Sequence, residues 1–296
     1  MDYLIGGILT HFAAFYCIAS AVRVTKSVTH SYDLTFFLPF IIAPYCAWAI
    51  GMHETIAGPV AILLAVAFSG ILSLSLFCAT TGTVRTLGIP RDRILVASLG
   101  FLIVGENSAA IAYGSQPLPL GRLFIDGDAL LVSTSNSSPN WALMIISVAA
   151  ILLVFNIALL GFGRVGLVLR AFDSDDELAL AYGFIPSRYL LATMSMHVLA
   201  LGALSIMIAA DTAIDTRTYF PYLMLGLASA LVRERGLVIG PLVGALLVAG
   251  IQQIAIYYSP ESWSSFVTYS LVAIIVGFSA LSQGARKTAA ARGGIE

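Results

Sequence analysis

Glu106 and Asn107 stand side by side within one apolar stretch, and His197 stands alone within another. A carboxylate and an amide at bilayer depth could wall a hydrated path for a polar solute, and an imidazole could face the same water. The carboxylate could equally receive a coupling ion. A charge at that depth costs at least about 2.5–3.5 kcal/mol on insertion scales, so Glu106 requires a partner or water. The plainer alternatives are a hydrogen bond inside a helix bundle for Glu106 and a satisfied packing residue for His197. Catalysis has no comparable footing, because His-Glu-x-x-His, Gly-x-Ser-x-Gly and Gly-x-x-x-x-Gly-Lys-Ser/Thr are all absent. The chain is expected to be no enzyme and to hold no metal or cofactor. His11, His30 and His53 are scattered, and Cys17, Cys46 and Cys78 each lie in a different apolar stretch. Any ATP that drives work here must be hydrolysed by another subunit.

Nine apolar stretches carry these residues, near 3–22, 34–52, 58–80, 94–113, 141–162, 189–210, 219–232, 237–258 and 263–281. Apolar residues make up 59% of the 296 and charged residues 10%, against roughly 45–50% and about 25% in ordinary globular proteins. A hydrocarbon core of about 30 Å takes roughly 20 residues of helix. The fold class is therefore all-α, a polytopic membrane bundle forming one domain over 1–296. Met1-Asp2-Tyr3 offers no basic region ahead of the first stretch, which is expected to be a retained helix rather than a cleaved signal. A net charge of −1 without a basic cluster argues against nucleic acid as a partner.

The gaps between stretches orient the bundle. Arg23 and Lys26, then Arg85, Arg91 and Arg93, then Arg164, Arg170 and Arg188 fill alternate gaps, followed by Arg233 and Arg235 and by Arg286, Lys287 and Arg292. These are 13 of the 15 basic residues, and only Arg122 and Arg217 fall on the other side. The positive-inside rule then puts the N-terminus outside and the C-terminus in the cytoplasm.

Two stretches are irregular in matching places. The second contains Pro39 and Pro44, expected to break it. The seventh contains Pro221, has only about 14 apolar residues, or roughly 21 Å of helix, and leads to Gly236, Gly240-Pro241 and Gly244. Stretches 1–4 and 6–9 would run in opposite directions, as in an inverted repeat, and short or interrupted segments at corresponding positions point to a substrate path. Gly236 and Gly240 thereby join Glu106, Asn107 and His197 as candidate path residues. The alternative is Pro kinks healed by neighbouring helices.

The 163–188 gap is the longest on the basic side. Ser174 and Glu177 have capping-box spacing, Leu178 to Ala181 suit a helix of about two turns, and Gly183 with Pro186 should end it. So short a helix is marginal alone and must dock on something, either a partner or its own bundle. On the other side, residues 114–140 suggest a small hairpin around Asp126-Gly127-Asp128.

Gly166-Leu-Val-Leu-Arg170-Ala171-Phe-Asp173, followed by Ala179, Ala181, Gly183-Phe-Ile185 and Arg188, resembles the cytoplasmic loop of branched-chain amino-acid ABC permeases of the LivH/LivM type. Gly236, Gly240-Pro241 and Gly244-Ala245 are similar to that family's glycine-rich C-terminal half. The likeness covers 160–282 well and 1–113 faintly. Thr35-Phe36-Phe37-Leu38-Pro39 stands where the family has Asn-Phe-Ala-His-Gly, and Arg233-Glu234 replaces its Gly-Gly. The resemblance implies an inner-membrane importer in which a second permease subunit, identical or different, completes the path for a small-molecule solute. It further implies a soluble solute-binding protein outside and two ABC ATPase subunits inside. Arg170, Ala171, Asp173, Glu177, Ala179, Gly183 and Arg188 would form the ATPase-coupling loop. The rival readings are a stand-alone ion-coupled transporter using Glu106, and a degenerate structural membrane subunit.

Overall fold

A computed structural model describes residues 2–51, 58–87, 92–114, 116–118, 120, 141–184, 186–214, 219–233, 236–258, 263 and 265–277. All nine apolar stretches are helical. They form α1 (Asp2–Thr29), a 3-10 turn (Thr35–Phe37) leading into α2 (Leu38–Gly51), α3 (Gly58–Leu87) and α4 (Asp92–Tyr113). Then come α5 (Trp141–Asn156) with a π turn (Ile157–Phe162), α6 (Arg164–Ser174) and α7 (Asp176–Ala181). The remainder are α8 (Pro186–Thr212), α9 (Tyr219–Val232), α10 (Ile239–Tyr258) and α11 (Ser265–Gly277). Six helices are long and apolar enough to cross a membrane, whereas Thr35–Gly51, Tyr219–Val232 and Ser265–Gly277 are shorter.

Burial runs inside out relative to a water-soluble bundle. On α3 the large side chains Val60, Leu63, Leu64, Phe68 and Ile71 are 47–69% exposed, while Ala61, Ala65, Ser69 and Ser73 are at most 2% exposed. Small and hydroxyl side chains let backbones approach and bond across helices, and large apolar ones face acyl chains. The same outward band recurs at Val96, Ile103 and Ile111 of α4 and at Leu143, Ile151 and Val154 of α5. The chain is a multi-pass membrane protein.

Packing follows an exchange between halves. α2 and α3 pack on each other and on α8, whereas α9 and α10 pack on each other and on α1, and α1 and α8 pack together at the centre. Swapping α1 with α8, α2 with α9 and α3 with α10 reproduces the pattern, as two repeats require. The repeats are inverted: Thr25 near the end of α1 meets Met194 near the start of α8, its hydroxyl 3.4 Å from the sulfur. Gaps assigned to one side by charge also meet in space. Arg23 Nη2 lies 2.7 Å from Asp173 Oδ2, and Leu118 and Ile214 form an antiparallel bridge at the opposite end.

Several local expectations change. α1 runs on to Thr29, so Arg23 and Lys26 lie within a helix rather than a loop, as befits good helix formers beyond the apolar core. Pro39 sits in the first turn of α2 and Pro221 in that of α9, where proline lacks no needed N–H, so neither breaks its helix; Pro44 lies inside α2. The cap of α7 is Asp175, whose carboxylate accepts the Leu178 amide at 3.0 Å. Ser174 instead ends α6, its hydroxyl donating back to Arg170 O at 3.0 Å. Gly183 ends the short helix as expected, at φ +80°, a left-handed value that glycine adopts without strain. Loop 163–188 therefore holds two helices where one was expected. The hairpin around Asp126, and Arg91, Arg122, Arg217, Glu234, Arg235 and the basic C-terminal residues lie outside the described residues.

Candidate functional site

α2 and α9, each 14 residues long, span only about 21 Å at 1.5 Å per residue. Both start in the middle of the bundle. A Cβ on Gly105, near the centre of α4, would meet Leu38 Cδ1 at 2.6 Å, and one on Gly202, near the centre of α8, would lie 3.6 Å from Pro39. At the other half-helix, Tyr222 lies against Phe15, the midpoint of α1, with ring centroids 6.1 Å apart. From this shared level the two helices run apart. α2 ends beside Tyr113 at the close of α4, stacking Tyr45 on it at 5.4 Å. α9 descends past Ile18 of α1, against which Gly226 is pressed.

The two starts touch through aromatic rings. Phe40 stacks on Phe37 at 4.7 Å, meets Tyr219 edge-on at 5.7 Å and lies 5.6 Å from Tyr222. His11 of α1 stacks on Tyr222 from the far side at 6.5 Å. The residues in contact are also equivalent in sequence: Phe37-Leu38-Pro39-Phe40 and Tyr219-Phe220-Pro221-Tyr222 both read aromatic, any residue, proline, aromatic. Each proline helps start a half-helix, and each flanking ring fills the space where its counterpart begins. Two helix N-termini, each with partial positive charge, thus converge on one aromatic plug, an arrangement suited to holding the anionic end of a solute at mid-depth.

Glu106 follows Gly105 and so lies one residue from the contact with the first residue of α2. It is half-buried and makes no hydrogen bond among the described residues, while Asn107 is exposed and donates back to Ile103 O at 2.7 Å. α4 packs only along α2, the 3-10 turn and α3, so the face bearing this pair is open to whatever adjoins the chain. Glu106→Gln is expected to lower solute uptake about tenfold, the worth of ~1.5 kcal/mol for one charged hydrogen bond, with the amount of inserted protein unchanged. Unaltered uptake would leave Glu106 a packing residue.

His197 is elsewhere. It is fully buried between α1, α5 and α8, with Nδ1 2.8 Å from Thr193 O and Nε2 3.4 Å from Asn156 Nδ2. A carbonyl at Nδ1 demands N–H there, so Nε2 accepts from the amide. Asn156 also donates to Tyr16 OH at 3.0 Å. This cluster crosslinks three helices beside the π turn and is separate from the aromatic junction. Gly236 turns the chain ahead of α10 at φ +78°. Gly240 is buried in the first turn of α10. The structure does not bring either to Glu106.

The coupling-loop candidates form their own group. Arg170 Nε donates to Gly166 O at 3.0 Å and its Nη2 to Gly161 O at 3.3 Å, satisfying carbonyls released where the π turn ends. Ala171 O receives the Asp175 amide, and Asp173 holds Arg23. Ala179 is buried against the chain's own core. Glu177 and Arg188 are exposed, as are Leu178 and Leu180 at 55% and 54% and Tyr182 at 74%. α7 therefore shows an apolar surface outward while Ala179 seats it inward. No protein-family model matches this chain, and no curated protein matches it either.

Proposed function

We propose that this chain is the permease subunit of a bacterial ABC importer for branched-chain or related amino acids. It lies in the inner membrane with its N-terminus outside and its C-terminus in the cytoplasm. The observation that carries the reading is α7, a two-turn helix displaying Leu178, Leu180 and Tyr182 at the end of the bundle that holds Arg23 and Arg170. Large exposed apolar side chains beyond the membrane helices call for a protein partner, and an ATPase groove fits them. The solute path runs past the α2–α9 junction and, with Glu106 and Asn107 at its wall, is completed by a second permease subunit. A soluble binding protein delivers the solute from outside.

Purification from native membrane tests this. The wild-type chain should retain an ATPase. Leu178→Asp should weaken that retention about tenfold or more, because the carboxylate loses water on docking, at a cost of ~1–3 kcal/mol. Insertion should be normal, since Leu178 faces away from the bundle. Retention by Leu178→Asp would remove α7 as the docking element. The half-helix junction also suits an ion-coupled carrier acting alone, and uptake by the chain reconstituted without partners would favour that reading.

A further inference from the structure

Asp33 lies in the link between α1 and the 3-10 turn and is 1% exposed. Its Oδ1 accepts the Thr35 amide at 2.9 Å and the Thr35 hydroxyl at 2.7 Å. Its Oδ2 lies 2.7 Å from Thr80 Oγ1 on α3. The titratable and charged side chains on the elements around it are Lys26 and His30 of α1, Tyr32 of the link, Cys78 of α3, Arg93 of α4, and Arg188 and Tyr189 of α8. None of these bonds to Asp33: Lys26 reaches the Tyr32 hydroxyl and lies over its ring, and Arg23 is held by Asp173. An ionised carboxylate buried without a counter-ion is costly.

The donor count points the same way. The Thr80 hydroxyl has one proton but two oxygens within reach, Asp33 Oδ2 at 2.7 Å and Phe77 O at 3.0 Å. With Asp33 ionised, Thr80 can serve only one of them. With a proton on Oδ2, Asp33 donates to Thr80, Thr80 donates on to Phe77 O, and every short contact holds a hydrogen. Thr35 meanwhile satisfies Oδ1, and Ser73 Oγ donates to Thr35 O at 2.9 Å.

We propose that Asp33 is a proton-binding site, a carboxyl kept neutral at neutral pH that donates to Thr80 and so ties the entry of α2 to α3. Burial pushes this carboxyl above its ordinary range, against the opposing pull of the Thr35 and Thr80 hydrogen bonds. The three-residue turn that follows is too short to supply much helix dipole in favour of the anion. Because the folded chain holds the proton more tightly than the unfolded chain does, the stability it contributes is complete below the ordinary carboxylate range. It is lost as pH rises through the folded value.

Infrared difference spectra of the intact chain test the assignment. Wild type minus Asp33→Asn should show a protonated-carboxyl C=O stretch at pH 7, and its absence would overturn the proposal. Asp33→Asn can donate an amide N–H to Thr80. It should melt within about 2 °C of wild type at pH 7 and lose the decline in stability that wild type shows as pH rises. Destabilisation by more than that at pH 7 would identify an anionic cap instead. Should the Asn variant not fold, Thr80→Val serves, since removing the proton's acceptor must raise the frequency of the same band. An unmoved band would overturn the proposal equally.

Discussion

Phe40→Ala is expected to be the most damaging single truncation in this chain. Phe40 is fully buried and touches Phe37, Tyr219 and Tyr222, so one ring joins the starts of both half-helices. Removing a buried Phe costs about 3–5 kcal/mol, and an aromatic pair adds roughly 0.5–1.5 kcal/mol beyond area. The melting midpoint in detergent should fall by about 10 °C. The gap also opens where two chain segments abut at mid-depth, so proteoliposomes bearing the variant should leak small polar solutes that wild type retains. Phe40→Leu should restore most of the stability but only part of the seal. A midpoint within about 2 °C of wild type would show that the rings are bystanders.

Gly244→Ala should come second. A Cβ at Gly244 would lie 1.9 Å from Ser229 O and 2.9 Å from its carbonyl carbon. Those are backbone atoms, so no rotamer change relieves the clash and α9 must move off α10. Overpacking of this kind costs about 1–3 kcal/mol, occasionally more, despite the gain in helix propensity of ~1 kcal/mol from Gly to Ala. Gly250 on the same helix meets nothing within 4 Å, so Gly250→Ala should be neutral or stabilising. Equal thermal stability of the two variants would refute the close crossing.

Legibility followed the kind of information each feature carries. Long apolar runs and their ends were readable because the need to hide backbone polar groups from lipid leaves little choice but helix. Stretch 219–232 matches α9 residue for residue. Continuation of α1 through Arg23 and Lys26 was not readable, because a window scored on apolarity stops at the first charge while the helix does not. The choice of Asp175 over Ser174 as cap depends on where α6 ends, and α6 is amphipathic and too polar to register among membrane stretches. The π turn at Ile157–Phe162 leaves no compositional trace. The irregular second and seventh stretches were visible through their prolines, but that they meet was not. The signal lay in the doubled aromatic–x–Pro–aromatic pattern, which becomes meaningful once the rings of one copy are seen against those of the other. Asp33 had no local signature either, since Thr80 is 47 positions away.

The Arg23–Asp173 ion pair has a mechanical consequence. Asp173 lies two residues before the cap of α7, and Arg23, 6% exposed, is anchored in α1. Phe15 is eight residues up the same helix, about 12 Å away, in contact with Tyr222. α1 is thus a rigid beam gripped at one end by the surface that meets a partner and loaded partway along by the ring cluster. A sideways tug on α7 becomes torque on that beam, and the aromatic junction lies within its arc.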